Sequence, residues 1–274
     1  MRILLTSDDG IDSVGLHVLA TAMKPFGDVQ IVAPDSEYSG AGAAIGAIWE
    51  MRPEVERRHV EGFDDSWAVS GPPALCVMFA RMGAFGPAPD LIVSGINPGA
   101  NVGRSVYHSG TIGACLTGRN GGITGVAVSQ AVHDFGVEGQ AWEESIKGLH
   151  WDTAAAVAAA AVEGIIAEPP SVASVLNINV PDLPVDEIEQ WHWTDVGQVP
   201  PRAMSTATLN PKTGDPDRFH VDMAYGDSTD QPDGTDTGAI QDRHVSLTWL
   251  SKITSTGQDA PAVDAAINSL MGSS

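Results

Sequence analysis

Short apolar runs alternate with stretches of helical periodicity over roughly the first two thirds of the chain. Residues 2–7 (RILLTS) form a continuous apolar run that ends in polar residues, the pattern of a strand buried on both faces. Asp12 or Ser13 is placed to cap a following helix, in which Leu16, Leu19 and Ala20 recur at helical spacing as far as about Met23. Residues 29–33 read as a second buried strand stopped by Pro34, and a loop rich in Gly, Ser and Ala follows over 34–47. Strand candidates near 48–51 and 67–70 are more irregular. Pro72 and Pro73 open a helix running to about Met82. A strand over 91–94, a Gly/Asn-rich loop, a helix from Thr111 to about Gly118, a strand over 126–129, a helix over 151–167 and a strand over 175–180 continue the alternation.

This order predicts an α/β fold with a mostly parallel sheet flanked by helices. From Pro181 to about Asp242 the pattern gives way to Pro, Gly, Asp and Thr, as extended arms or hairpins would. Residues 244–250 (HVSLTWL) alternate like a half-buried strand, and 260–271 reads as a terminal helix. The expected organisation is therefore a core over 1–180, an extended arm and hairpin region over 181–243, and a strand and helix over 244–274 that return to the core. Trp191, Trp193 and Trp249 fall in or near these later strands and read as packing or interface residues.

Composition narrows the function. The 274 residues carry 14 basic and 35 acidic side chains, a net charge of −21. That balance argues against a nucleic acid polymer or an anionic membrane as partner. The charge is uneven: residues 1–130 hold 13 acids and 8 bases, and residues 131–274 hold 22 acids and 6 bases. Cys76 and Cys115 are too few for a disulfide framework and lack metal-type spacing, which suits a reduced cytoplasm. The apolar stretch before Thr6 is too short for a signal-peptide core, and the alanine-rich run 154–167 falls short of a membrane span.

Ligands of open α/β sheets bind beyond the carboxyl ends of the strands. Three polar loops are expected there, over 7–10, 35–46 and 94–111. Asp8 and Asp9 are adjacent carboxylates at the end of the first strand, where they repel and where burial favours protonating one. A divalent cation removes that conflict, and Mg²⁺ or Mn²⁺ takes oxygen ligands of this kind. The same pair equally suits a helix N-terminus with no metal at all. Asn97 offers a carbonyl oxygen, while Gly99, Asn101 and Gly103 allow close backbone approach to an anion, or simply shape a turn. Ser109, Gly110 and Thr111 open the next helix and present amides and hydroxyls to a phosphate, or serve as an ordinary cap. Ser39 and Gly40 supply a hydroxyl and a flexible backbone. His108 precedes the phosphate-loop candidate, with a surface role as the alternative. Asp227, Asp230, Asp233 and Asp236 step by three, lack the ligand spacing of a calcium loop, and read as a solvated acidic loop.

Taken together, these segments resemble the SurE family of survival proteins, which are metal-dependent nucleotidases. The matching pieces are Asp8-Asp9-Gly10 after RILLTS, Ala33-Pro34-Asp35 leading to Ser39-Gly40, SGINPGANVGRSVYHSGT over 94–111, NINVP over 177–181, and TDTGAIQDRHVSLTWL over 235–250. The resemblance implies a Rossmann-like core and one Mg²⁺ or Mn²⁺ per subunit on Asp8, Asp9, Ser39 and Asn97. It also implies phosphate release from nucleoside 5′- or 3′-monophosphates and short polyphosphate, and a homodimer or homotetramer built through C-terminal arms. Ser39, Gly40, Asn101, Ser109, Gly110 and Thr111 would then hold phosphate, and Asp8 would orient or deprotonate the attacking water or carry a phosphoryl group. Three positions depart from the family pattern: Ser7 stands where Asn is usual, Leu75 where Asp precedes the cysteine, and Thr117 where Glu precedes Gly118. Ser7 is therefore expected to loosen the orientation of Asp8 and Asp9.

Two other classes compete with this reading. One is a nucleotide-sugar transferase or dinucleotide enzyme on a similar fold; SDDGIDSVG after the first strand lacks the G-x-G-x-x-G fingerprint of dinucleotide binding. The other is a non-enzymatic nucleotide or metal-binding module that keeps the loops without turnover.

Overall fold

The computed structural model describes residues 1–46, 48–132, 146–199, 202–215, 217–251 and 259–271. Residue 47 of the expected loop 34–47, residues 133–145 of the core, residues 200, 201 and 216 of the extension, and residues 252–258 and 272–274 of the C-terminal segment lie outside the described residues.

The N-terminal run forms β1 (Arg2–Thr6), which pairs in parallel with β2 (Asp28–Pro34) on one side and β5 (Leu91–Pro98) on the other. Its continuous hydrophobicity has a structural cause. Ile3 and Leu5 point to one face, against α1 (Val14–Met23) and α5 (Trp151–Ala167). Leu4 points to the other, against α3 (Pro73–Arg81) and α4 (Gly110–Asn120). A strand covered on both faces has no solvent side on which to place polar residues.

The remaining strands are β3 (Val55–Arg57), β4 (Ser66–Val69), β6 (Thr124–Gln130), β7 (Val175–Val180), β8 (Trp191–Trp193) and β11 (Val245–Leu250). Among the described residues the main sheet has the order β3-β4-β2-β1-β5-β6-β7-β11-β8. Its centre, from β4 to β7, is parallel, while β11 runs antiparallel to β7 and β3 antiparallel to β4. The fold is thus α/β, with a mixed and mostly parallel sheet between two layers of helices. Between β8 and β11 the chain forms a separate antiparallel hairpin, β9 (Arg202–Pro211) and β10 (Phe219–Ser228), and then the short helix α6 (Asp236–Gln241). A final helix, α7 (Pro261–Met271), has no buried residue, and Val263, Ile267 and Leu270 stand exposed at helical spacing.

Several local expectations change in the folded chain. Residues 48–51 form a single helical turn, α2 (Ile48–Met51), with Trp49 95% exposed. The edge of β4 that such a strand would need is occupied by Val55–Arg57. Ser13 sits at the N-cap of α1, but its side chain makes no capping hydrogen bond. The strand expected over 91–94 continues to Pro98, with a register shift against β6 between Ser94 and Asn97. Trp191, Trp193 and Trp249 pack on one another, with Trp193 and Trp249 stacked at 6.2 Å, yet each remains substantially exposed.

The largest correction concerns the acidic stretch. Asp227, Asp230 and Asp233 are exposed as expected, but Asp236 is fully buried. Its carboxylate accepts the amide N–H groups of Gly103 at 2.9 Å, Gly197 at 2.8 Å and Thr237 at 2.8 Å. Burial raises its pKa, and these amides oppose the shift. One side chain thereby latches the end of the 94–103 loop to the C-terminal extension. Charge alone cannot separate it from its exposed neighbours; the signal available in sequence is its place after Thr235, which caps α6 through the Gly238 amide.

Asp236→Ala leaves three buried amides without an acceptor. The expected loss is at least about 3 kcal/mol, from hydrogen bonds to a charged group and the stranded donors. At roughly 2–4 °C per kcal/mol for a chain of this size, thermal melting should fall by at least about 6 °C. An unchanged melting temperature would show that the latch contributes nothing.

Candidate active site

The carboxyl end of β1 carries the chain directly from the sheet into Ser7, Asp8 and Asp9. Asp8 is 2% exposed. Its Oδ1 accepts a hydrogen bond from the Thr111 hydroxyl at 2.5 Å. Its Oδ2 lies against the first residue of α4, where a Cβ on Gly110 would sit only 2.8 Å away. Gly110 thus lets the carboxylate reach the helix N-terminus, where unpaired amides and the helix dipole favour negative charge. Burial raises the Asp8 pKa, and the Thr111 hydroxyl and nearby amides pull against that rise.

Asp9 is half-buried beside it. Burial and then the Asp8 charge push its pKa up to about 7. The Ser7 hydroxyl donates to Asp9 Oδ2 at 3.0 Å and accepts the Asp9 amide at 3.2 Å. Ser7 therefore holds Asp9 instead of loosening it, because a short hydroxyl reaches a carboxylate two residues ahead. Neither carboxylate has an ion-pair partner among the described residues.

The second loop is drawn onto this pair by backbone hydrogen bonds. The Ile11 amide donates to the Pro34 carbonyl at 2.8 Å, and the Tyr38 amide donates to the Asp8 carbonyl at 2.7 Å. Ser39 follows immediately, exposed, with its hydroxyl donating to Glu37 Oε1 at 2.8 Å. Gly40 is exposed, with open space around its Cα. The Gly42 amide then donates to the His108 carbonyl at 2.9 Å. The Gly42 carbonyl occupies the space of a Cβ on Gly113, at 2.1 Å, so the loop lies flat on α4.

The third loop arrives along β5. The Ile96 carbonyl lies 2.2 Å from the position of a Cβ on Gly15, which brings the end of β5 against the first turn of α1. Asn97 donates its side-chain amide to the Gly99 carbonyl at 2.6 Å, which leaves its Oδ1 as a neutral oxygen donor. Asn101 is buried in a different network. Its side-chain amide donates to Ser129 Oγ at 2.9 Å, its backbone amide donates to Asn179 Oδ1 at 2.7 Å, and its carbonyl accepts from the Asn177 side chain at 2.9 Å. Ser109 is the N-cap of α4, its hydroxyl accepting the Ile112 amide at 3.1 Å.

Asp8, Gly110 and Thr111 are therefore in direct contact, and Asp9, Ser39, Gly40 and Ser109 lie on segments tied to them. Asn101 serves to hold its loop against β6 and β7. Glu37, Asn177 and Asn179 are site-supporting residues with no expected role in the sequence. The alternation in Asn177-Ile178-Asn179 was the available signal, since it puts two amides on one face of a fully buried strand.

The donor set suits a divalent cation. Two adjacent carboxylates without a cationic side chain leave negative charge that a cation would offset, and the Ser39 hydroxyl and Asn97 Oδ1, on neighbouring loops, are oxygens of the hard, neutral kind such an ion takes. Among the described residues no cluster of three or more His, Cys, Asp and Glu side chains forms an alternative metal site.

Comparison with known proteins identifies relatives along most of the chain. Residues 3–202 match the family described as Survival protein SurE. The chain is 35% identical over 250 residues to the 5′/3′-nucleotidase SurE of Escherichia coli O127:H6, covering 91% of this chain and 90% of that protein. It is 36% identical over 253 residues to the 5′-nucleotidase SurE of Aeromonas hydrophila, covering 92% of each. The crystal structure of the SurE protein from Aquifex aeolicus superposes with a TM-score of 0.75 at 27% identity, covering 99% of this chain and 100% of that one. The family match over residues 3–202 and these relatives establish that the chain belongs to the SurE family.

Proposed function

We propose that this protein is a divalent-metal-dependent phosphomonoester hydrolase that releases phosphate from nucleoside 5′-monophosphates, with 3′-monophosphates and short polyphosphates as further substrates. Its curated relatives are named as 5′/3′- and 5′-nucleotidases. The observation that carries the reading is Asp8, a buried carboxylate held by Thr111 and Gly110 at the N-terminus of α4. A carboxylate, a helix N-terminus and unneutralised acidic charge converge there, which is the equipment of phosphoryl transfer. The family membership disfavours a glycosyl or dinucleotide enzyme on a similar fold.

One Mg²⁺ or Mn²⁺ per subunit is assigned to Asp8, Asp9, Ser39 and Asn97. When bound, such an ion polarises a phosphoryl oxygen and offsets charge in the transition state. Ser39, Gly40, Ser109, Gly110 and Thr111 are assigned to the other phosphate oxygens through hydroxyls and amides, and Asn101 to the shape of the loop beside them. Asp8 orients the attacking water and accepts its proton; the new P–O bond forms as the ester P–O bond breaks, and the nucleoside leaves with a proton from solvent.

Residues 181–243 are assigned to assembly of a homodimer or homotetramer. Supporting this, Leu209, Phe219, Val221 and Met223 are exposed on the hairpin of β9 and β10, and Trp191 and Trp193 on the sheet edge. An isolated two-stranded hairpin needs such cover. Both cysteines are buried and free, in keeping with a reducing, cytoplasmic setting. Among the described residues no helix is long and apolar enough to cross a membrane.

Asp8→Asn should lower kcat for phosphate release from adenosine 5′-monophosphate by at least about 100-fold, the scale of losing a positioned acid–base group. A near-normal rate in a phosphate-release assay with Mg²⁺ or Mn²⁺ would remove Asp8 from the chemistry.

A second expectation follows from the repelling pair. The fold raises the Asp9 pKa from 3.8 to about 7, so the folded state binds the proton more tightly than the unfolded chain. The stability this gives is complete below the unfolded value and is lost as pH rises through about 7. Chelated wild-type protein should therefore melt lower at pH 8 than at pH 5, and Asp9→Asn should flatten that dependence. Added Mn²⁺ should raise the melting temperature of the wild type and not of Asp9→Asn. Equal stabilisation of both proteins by Mn²⁺ would place the ion elsewhere.

A further inference from the structure

Two aromatic side chains at the carboxyl end of the sheet are used neither by the core nor by the phosphate chemistry. Of the chain's three tyrosines, Tyr38 immediately precedes Ser39, and Tyr107 lies two residues before Ser109. The backbone of each is fixed into the site. The Tyr38 amide donates to the Asp8 carbonyl at 2.7 Å. The amides of His108 and Ser109 donate to the Ser105 carbonyl at 2.9 and 3.0 Å, closing the turn that carries Tyr107.

The two segments are also tied to each other. The Gly42 amide donates to the His108 carbonyl, and a Cβ on Gly42 would lie 3.1 Å from the Tyr107 carbonyl. Gly42 has φ +54°, a conformation that favours glycine at this close approach. Residues 35–46 and 103–108 are therefore packed side by side, next to the N-terminus of α4.

Tyr107 is 76% exposed and Tyr38 is half-buried. Among the described residues neither ring packs against another ring or a cation, and neither hydroxyl has a hydrogen-bond partner. Tyrosines that serve the fold bury the ring and give the hydroxyl a partner. Two tyrosines without ring or hydroxyl partners, on neighbouring segments beside a phosphate site, suit a ligand that joins a flat π-face to a phosphate.

We propose that Tyr38 and Tyr107 bracket the base of a nucleoside monophosphate whose phosphate sits at Gly110 and Thr111, and so set the preference for nucleotides over phosphate esters without a base. The inference rests on the nucleotidase reading and deepens it. Stacking on a ring face tolerates any base, so the bracket gives nucleotide selectivity without strict base selectivity, and purines gain most because they cover more ring.

The test compares kcat/KM for adenosine 5′-monophosphate and ribose 5-phosphate in wild type, Tyr38→Ala, Tyr107→Ala, the double alanine variant and the two phenylalanine variants. Adenosine binding is measured on the same proteins by calorimetry, without turnover. Each single alanine variant should lose about tenfold of the nucleotide preference, through KM, with adenosine affinity falling in step. The phenylalanine variants should keep both. A double alanine variant with wild-type preference and wild-type adenosine affinity overturns the bracket. Phenylalanine variants as impaired as the alanine ones overturn stacking as its basis. Wild-type protein that releases phosphate from neither ester overturns the nucleotidase reading instead, and adenosine binding then still decides the bracket.

Discussion

Two adjacent carboxylates, Asp8 and Asp9, are taken out of water with no cationic side chain of the described residues beside them. The arrangement at the carboxyl end of the sheet answers to that electrostatic constraint. Desolvation and mutual repulsion disfavour the doubly ionised pair, and the fold opposes this with neutral dipoles: the Thr111 hydroxyl, the Gly110 and Thr111 amides, and the Ser7 hydroxyl. Dipoles of this kind orient the carboxylates without neutralising them. The residual charge suits a cation, and the helix N-terminus beside it suits an anion.

Holding three loops over such a pair demands rigid support, and that support comes from buried polar groups well removed from the carboxylates. Asn101 is clasped by Ser129, Asn177 and Asn179, which stand on two neighbouring strands in register. Asp236 gathers three amides from separate parts of the chain. Hydrogen bonds of this kind fix one arrangement of the backbone more narrowly than apolar packing does, even though the Asn177 Oδ1 in this network finds no partner among the described residues. The C-terminal extension thus takes part in the shape of the site through Asp236, besides presenting exposed apolar surface of its own.

The uneven charge of the chain fits this division. Residues 1–130, which hold the site, are nearly balanced, whereas most of the net charge of −21 lies beyond them. Asp227, Asp230 and Asp233 show where such charge goes, standing solvated on the outer loop before α6. An anionic substrate meets local positive potential from helix N-termini against this background, which acts over short range because solvent ions screen the distant carboxylates.

The sequence by itself determined the α/β alternation, because strands covered on both faces must be continuously apolar and helices between them must carry one apolar face. It also marked the acidic pair, the Ser39 and Ser109 loops and the SurE resemblance, since those features are contiguous in the chain. What it could not determine were relations between distant segments. Residues 48–51 are apolar enough for a strand, yet they form a helical turn and Val55–Arg57 pairs with β4 instead. Ser7 reads as a shortened side chain until its hydroxyl is seen on Asp9. Charge alone does not separate Asp236 from three exposed aspartates until amides 133 and 39 residues away are found on its carboxylate. Periodicity reports which face of an element is buried, but hydrogen-bond partners and pKa shifts depend on which elements meet, and only the tertiary structure decides that.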